Sequence, residues 1–331
     1  MALLLNEAEV KNLLTMPLAI EATEESFQRL ADGSAVLHSR RRLYVPGKSY
    51  LHYMAAADPA GGTMGMKIYT SSKNGLRFLI PLFDVQSGDL LALIEADYLG
   101  QMRTGAASAV ATRLLARADA HTVGIVGTGQ QARTQLEAIA QVRRIDRVRA
   151  FSRNAEHRER FAAEMTQELS FLVTAADSAE AAVRGADIVV TSTTSATPVL
   201  LGSWLAPGTH VNAIGANFPQ KRELDDDAVR RADVIAVDSR EQAKMEAGDL
   251  IDVFGKDPVR WEAVRELAEI VGGDVPGREY DDQITLFKSS GIAIEDVVTA
   301  ARVYNLARQR GIGSEIPIWS GEARPGVARG T

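Results

Sequence analysis

Residues 121–132, HTVGIVGTGQQA, constrain the fold more than any other stretch, because an apolar run stops at a glycine-rich turn and restarts as a helix. Val123, Ile125 and Val126 supply β-branched residues of a strand buried on both faces. Gly127, Gly129 and Ala132 fill the three small positions of GxGxxA. Gly127 permits the tight turn, Gly129 removes a side chain that would block a pyrophosphate, and Ala132 lets the helix from about Gln130 pack closely on the sheet. Ordinary strand-turn-helix units also carry such glycines, so the neighbourhood decides. About 20 residues beyond Ala132, a dinucleotide-binding unit reads the adenosine ribose. There the chain has Ser152, Arg153 and Asn154, with no Asp or Glu. A hydroxyl and a planar guanidinium suit a 2′-phosphate, which favours NADP(H) and leaves NAD(H) as the second choice.

Strand and helix then alternate as in a doubly wound domain, with buried runs at 123–126, 147–151, 171–174, 188–191, 210–214 and 234–237. Ahead of them, residues 7–32 read as two helical stretches. Strands follow at 42–45, 50–54, 65–69 and 78–83, separated by Pro46-Gly47, Gly61-Gly62 and Lys73-Asn74-Gly75. Residues 90–96 continue that sheet, and a helix over 104–116 bridges to the nucleotide unit. Helix-rich sequence fills 267–310, and the chain after Gly291 is expected to return to the first domain. The expected fold class is α/β: a Rossmann dinucleotide-binding domain over 119–292, with a mixed α+β domain from 1–118 and 293–331.

At 331 residues and 46% hydrophobic, the chain has material for two cores. A net charge of −6 without a basic stripe argues against a nucleic-acid partner. The absence of cysteine excludes disulfides, thiolate metal sites and cysteine nucleophiles, and five scattered histidines give no metal-ligand spacing, so no metal is expected. The Leu3-Leu4-Leu5 run is too short for a signal or a membrane span, which leaves the cytoplasm as the expected location.

Chemistry is expected outside the nucleotide half. Lys67 shares one strand face with Gly65 and Tyr69 while Met64, Met66 and Ile68 share the other; such a lysine either reaches a sheet edge or meets an anion. Arg103 opens the expected helix at Arg103-Thr104-Gly105, where guanidinium and backbone amides together would favour a carboxylate or phosphate; a surface cation is the other reading. The triplet Arg40-Arg41-Arg42 is ambiguous, since a charge run is usually a solvated face.

Arg42, Met64-Gly65-Met66-Lys67, Arg103-Thr104-Gly105-Ala106-Ala107, residues 124–129 (GIVGTG) and 186–191 (ADIVVT), and the 285–291 segment (TLFKSSG) followed by Glu295-Asp296 together resemble the ornithine cyclodeaminase and mu-crystallin family over nearly the whole chain. The resemblance implies a homodimer formed through the mixed domain, a nicotinamide-binding Rossmann domain and an active site between them. It implies that Arg42, or Arg41 by a shift, holds the substrate carboxylate together with Arg103, and that Lys67 lies near the reacting nitrogen or carboxylate. Thr104, Gly127, Thr128, Gly129, Gln130, Gln131, Ser152, Arg153, Asn154, Thr191, Ser192 and Gly291 are the expected cofactor contacts. His52 falls where ornithine-cyclising members carry a glutamate; a hydrogen-bonded structural histidine is the expectation, a proton-transfer role the alternative.

Cyclodeaminases of the family resemble Gly-Gly-Asp after the fifth Rossmann strand, where this chain has Gly215-Ala216-Asn217. Asn217 has no carboxylate to act as a base or to balance an ammonium. The expected reaction is therefore NADPH-dependent reduction of a cyclic ketimine carboxylate, with Arg42, Lys67, Arg103 and Asn217 as the reacting set. Ornithine cyclodeamination with NAD, alanine dehydrogenation and a non-catalytic NADPH-bound ligand-binding protein are the alternatives. All imply a small imino- or amino-acid partner and no membrane.

Overall fold

The computed structural model describes residues 1–319, which leaves 320–331 of the expected mixed domain outside the described residues. The chain opens with strand β1 (Ala2–Leu5), then helices α1 (Glu7–Leu13) and α2 (Met16–Ala31). Strands β2 (Val36–Val45), β3 (Ser49–Asp58), β4 (Thr63–Ser72), β5 (Gly75–Asp84) and β6 (Leu90–Glu95) follow. They form one sheet in the order β1-β6-β5-β4-β3-β2, antiparallel across β2 to β6, with β1 added parallel to β6. Alternation does the sorting. Along β4, Gly65, Lys67 and Tyr69 are buried while Met64, Met66 and Ile68 are half-buried on the outer face.

Helix α3 (Asp97–Leu115) connects the sheets and is buried on nearly every side. It begins earlier than the sequence pattern predicts. Ala96 has no capping side chain, but the Glu7 carboxylate of α1 accepts from the Asp97 and Tyr98 amides at 2.6 and 3.1 Å, a cap supplied from 90 residues away. Arg103 therefore lies inside the helix, and the amides around it are used by the helix rather than offered to an anion. Gly105 allows close crossing, since a Cβ there would collide with the Thr134 carbonyl oxygen.

The second sheet contains β7 (Thr122–Val126), β8 (Arg147–Phe151), β9 (Leu172–Ala175), β10 (Ile188–Thr191), β11 (His210–Ala213), β12 (Val234–Val237), the short β13 (Arg265–Glu266) and β14 (Thr285–Lys288). Its order is β13-β12-β14-β11-β10-β7-β8-β9, all parallel, with α4 (Gln130–Val142), α5 (Ala155–Leu169), α6 (Ala179–Val183), α7 (Asp226–Arg231), α8 (Arg240–Glu246), α9 (Gly248–Phe254), α10 (Pro258–Glu262) and α11 (Leu267–Gly272) on its connections. This is a doubly wound Rossmann-type sheet. Residues 285–288 depart from the helix-rich reading of 267–310: they form a central strand between β11 and β12. Lys288 is fully buried there, its Nζ donating to the Ala216 and Ala213 carbonyls at 2.5 and 3.3 Å beside Asp249 at 3.4 Å.

Helix α12 (Ala293–Arg310) leaves the second sheet and packs on the inner face of β2, β3, β4 and β5, and β15 (Ser314–Ile316) pairs antiparallel with β1. Among the described residues no helix is long and apolar enough to cross a membrane.

Candidate active site

A cavity of about 360 Å³ opens between the inner face of β3 to β5, the start of α3 and the carboxyl ends of β10, β11 and β14. Ligands of open α/β sheets bind at such strand ends. Lys67, Arg103 and Arg40 line it from one side, Ser192, Thr193 and Asn217 from the other.

Lys67 is 4% exposed on a strand with neighbours on both sides, which removes the sheet-edge reading. Its Nζ donates to Asp296 Oδ1 at 3.1 Å, and it lies over the Phe78 ring. Burial and the nearby Arg103 lower its pKa to about 8, against the pull of Asp296. Arg103 is equally buried; Nε donates to Asp296 Oδ1 at 3.0 Å and Nη1 to Glu295 Oε2 at 2.7 Å. Gly291, in the left-handed region at φ 74°, is required there, because a Cβ would strike the Arg103 guanidinium.

The arginine triplet resolves through a register shift between His38 and Arg41, which turns Ser39 and Arg40 inward together. Arg41 points to solvent. Arg40 lines the cavity, bound to Glu246 and to the Ser290 and Gly291 carbonyls. Arg42, expected to face the substrate, is set back: it pairs with Glu246 Oε1 at 2.6 Å, donates to the Asn217 carbonyl at 2.8 Å and lies over Phe218 at 4.4 Å. A bulge has no signature in Arg-Arg-Arg, so the shift from Arg42 to Arg40 was not legible in the sequence.

His52 faces the same cavity, stacked on Tyr69 at 4.2 Å with Nε2 3.1 Å from Ser71 Oγ. Burial, with Arg42 and Arg40 nearby, lowers its pKa to about 4, so it is neutral through the physiological range. Tyr69 on β4, Phe78 on β5 and Phe218 after β11 add an aromatic wall that sequence reasoning missed; the one signal was the alternation that puts Tyr69 on the face of Lys67.

The dinucleotide side is simpler. Gly127 has φ 104°, and a Cβ there would meet the Ser192 carbonyl. Thr128 Oγ1 donates to Ser152 Oγ at 2.8 Å, tying the glycine turn to the end of β8. No side chain caps α4, no acid stands in its first turn, and open space lies over Gly129, so the free amides from Gln130 fit a pyrophosphate. Arg153 is exposed, and Asn154 is the N-cap of α5, accepting from the His157 amide. Thr104, Gln131, Ser192 and Gly291 line the cavity. Thr191 does not; its hydroxyl donates to Glu223 Oε2 at 3.0 Å. Glu223 also accepts from the Thr193 and Gly215 amides and so braces both loops over the cavity.

Residues 1–311 match the sequence profile of the ornithine cyclodeaminase/mu-crystallin family. The chain belongs to that family. Among its relatives, the Bacillus cereus Delta(1)-pyrroline-2-carboxylate reductase is 34% identical, with 95% of this chain and 99% of that one covered. The Thermococcus litoralis Delta(1)-pyrroline-2-carboxylate reductase, solved with NADH and L-proline, superposes with a TM-score of 0.91 at 36% identity, covering 95% and 100% of the two chains. An archaeal alanine dehydrogenase dimer with bound NAD gives 0.90 at 34% identity, covering 96% and 99%. A family member with this cavity brings a nicotinamide site and three buried cations to one cleft.

Proposed function

We propose that the protein reduces a cyclic ketimine carboxylate, Δ1-pyrroline-2-carboxylate or Δ1-piperideine-2-carboxylate, to the cyclic amino acid, with NADPH preferred over NADH. The observation that carries this reading is the convergence of Lys67, Arg103 and Arg40 on a cavity at the carboxyl edge of the Rossmann sheet. A reduced nicotinamide, when bound, supplies the hydride.

The protein's own residues supply the rest. Arg103 and Arg40 would hold the carboxylate, taking the role first assigned to Arg42, which instead steadies Arg40's partner Glu246 and the Asn217 carbonyl. Lys67 would keep the imine nitrogen protonated and deliver its proton as C=N becomes CH–NH; a pKa of about 8 suits a proton donor near neutral pH. The aromatic wall would enclose the ring and exclude water. Asn217, neutral, accepts from the nitrogen without offering the base that ring closure of a diamino acid needs. Arg153 and Ser152 at the end of β8 support the 2′-phosphate preference.

Purified protein would be assayed with NADPH and with NADH against both cyclic imines, pyruvate with ammonia, and, with NAD, ornithine. Turnover confined to the cyclic imines is expected. Ammonia released from ornithine, or faster reduction of pyruvate, would replace this reading with cyclodeamination or alanine dehydrogenation; no turnover at all would favour a binding protein. The homodimer belongs to the same proposal: the outer face of β2 to β5 presents an apolar cleft lined by Val36, Ala55, Ala57, Met64, Met66 and Phe83. Sedimentation at the monomer mass would refute it.

A further inference from the structure

Behind the cavity wall, two cations and two carboxylates close on one another. Lys67 Nζ and Arg103 Nε both donate to Asp296 Oδ1, and Arg103 Nη1 donates to Glu295 Oε2. Both acids are wholly buried at the start of α12. With all four ionised the set is already neutral, so an incoming carboxylate would add a buried negative charge with no free partner, which a low-dielectric interior strongly disfavours. A proton must accompany it. Arg103 has none to gain, and Asp296 is the better-held acid because one of its oxygens serves both cations. Glu295 is held by Arg103 alone; each of the three acids here, with Asp238, leaves one oxygen without a partner, so the number of donors each meets is what sets Glu295 apart. Asp238, on the loop after β12, faces the same guanidinium; its Oδ2 accepts from Ser289 Oγ and the Ser290 and Gly291 amides, a third negative charge close by. Arg40, on β2, is engaged with Glu246.

We infer that Glu295 is the neutral acid whenever a substrate carboxylate fills the cavity, so that anion capture is coupled to proton uptake at a residue outside the cavity lining. Burial raises the Glu295 pKa to about 8 against the pull of Arg103, with Asp238 and Asp296 pushing the same way. Glu295 acts through Arg103 and is a positioning residue. The inference rests on the proposed function only in taking the ligand to be a carboxylate.

Titration calorimetry of the cofactor-saturated protein with pyrrole-2-carboxylate, an anion without a basic nitrogen, tests it at pH 7 and 9 in buffers of different protonation enthalpy. Glu295 should make affinity fall about tenfold per pH unit above its pKa, as one-proton linkage requires. E295Q, isosteric and permanently neutral, should take up one proton fewer at pH 9 and lose that part of the fall. At pH 9, where free Glu295 is ionised, infrared difference spectra of the wild-type protein on ligand binding should show a protonated-carboxyl band that shifts in D2O. A wild-type affinity flat from pH 7 to 9, an undiminished fall in E295Q, which would put the titration on Lys67, or no such band would each overturn the inference. Failure of pyrrole-2-carboxylate, L-proline and L-alanine alike to bind would overturn the proposed function too, whereas binding without proton uptake at pH 9 overturns this inference alone.

Discussion

On the proposed reading, the glycine turn after β7 and the charged wall of the cavity each meet an anion, and they do so by different means. At the turn, the amides that open α4 do the work, supported by neutral side-chain ties such as Thr128 to Ser152 across 24 residues. At the wall, every cation is paired with an acid from a remote segment: Lys67 with Asp296 across 229 residues, Arg103 with Glu295 across 192, Arg40 with Glu246 across 206. Backbone dipoles suffice for a phosphate at the protein surface. A carboxylate held in a dry cavity needs full charges, and each full charge must itself be neutralised while the site is empty.

That contrast can be broken most sharply at Lys67. Lys67→Met should lower kcat/KM by about 10²- to 10⁴-fold, the usual worth of a positioned proton donor, while NADPH titration stays near wild type. Loss of cofactor binding in K67M would mean that the two regions are not separable. Gly127→Ala tests the other side. It forces a side chain into φ 104° and against the Ser192 carbonyl, so roughly 1–3 kcal/mol of stability and much cofactor affinity should go together, read by thermal unfolding and fluorescence titration. The pH profile separates the regions without mutation. Protonated Lys67 and neutral Glu295 are both needed and both have pKa values of about 8, so kcat/KM should fall as pH rises through about 8, approaching tenfold per unit for each group and tenfold in all in E295Q, while NADPH affinity stays level over that range. A profile flat to pH 10 would remove Lys67 as the donor. The smallest effect belongs to the surface: Arg153→Ala should weaken NADPH by about fivefold and leave NADH unchanged, as expected for an exposed charge-assisted contact.

The same contrast explains what could be read from the sequence. The Rossmann strands and the glycine turn follow from local patterns, and so does the inward face of Lys67, since period-two alternation places it with Gly65 and Tyr69. Three things were hidden for physical reasons. The bulge that turns Arg40 inward depends on pairing with β3. The early start of α3 depends on a carboxylate in α1. The central position of β14 depends on a lysine finding carbonyl partners inside the sheet. Glu295 and Asp296 stood in a recognisable segment, but nothing local marks them as the counter-charges of β4 and α3.

The position of β14 has a consequence for biosynthesis. The strand fills the gap between β11 and β12, and the α12 helix that covers the first sheet comes only after it. A ribosome must therefore deliver residue 288 before the nucleotide sheet can close and residue 310 before the inner face of the other is covered, so the sheet made first is the last to be covered. Fragments ending between β12 and β14 leave the facing edges of β11 and β12 unpaired in mid-sheet and are expected to need chaperone protection.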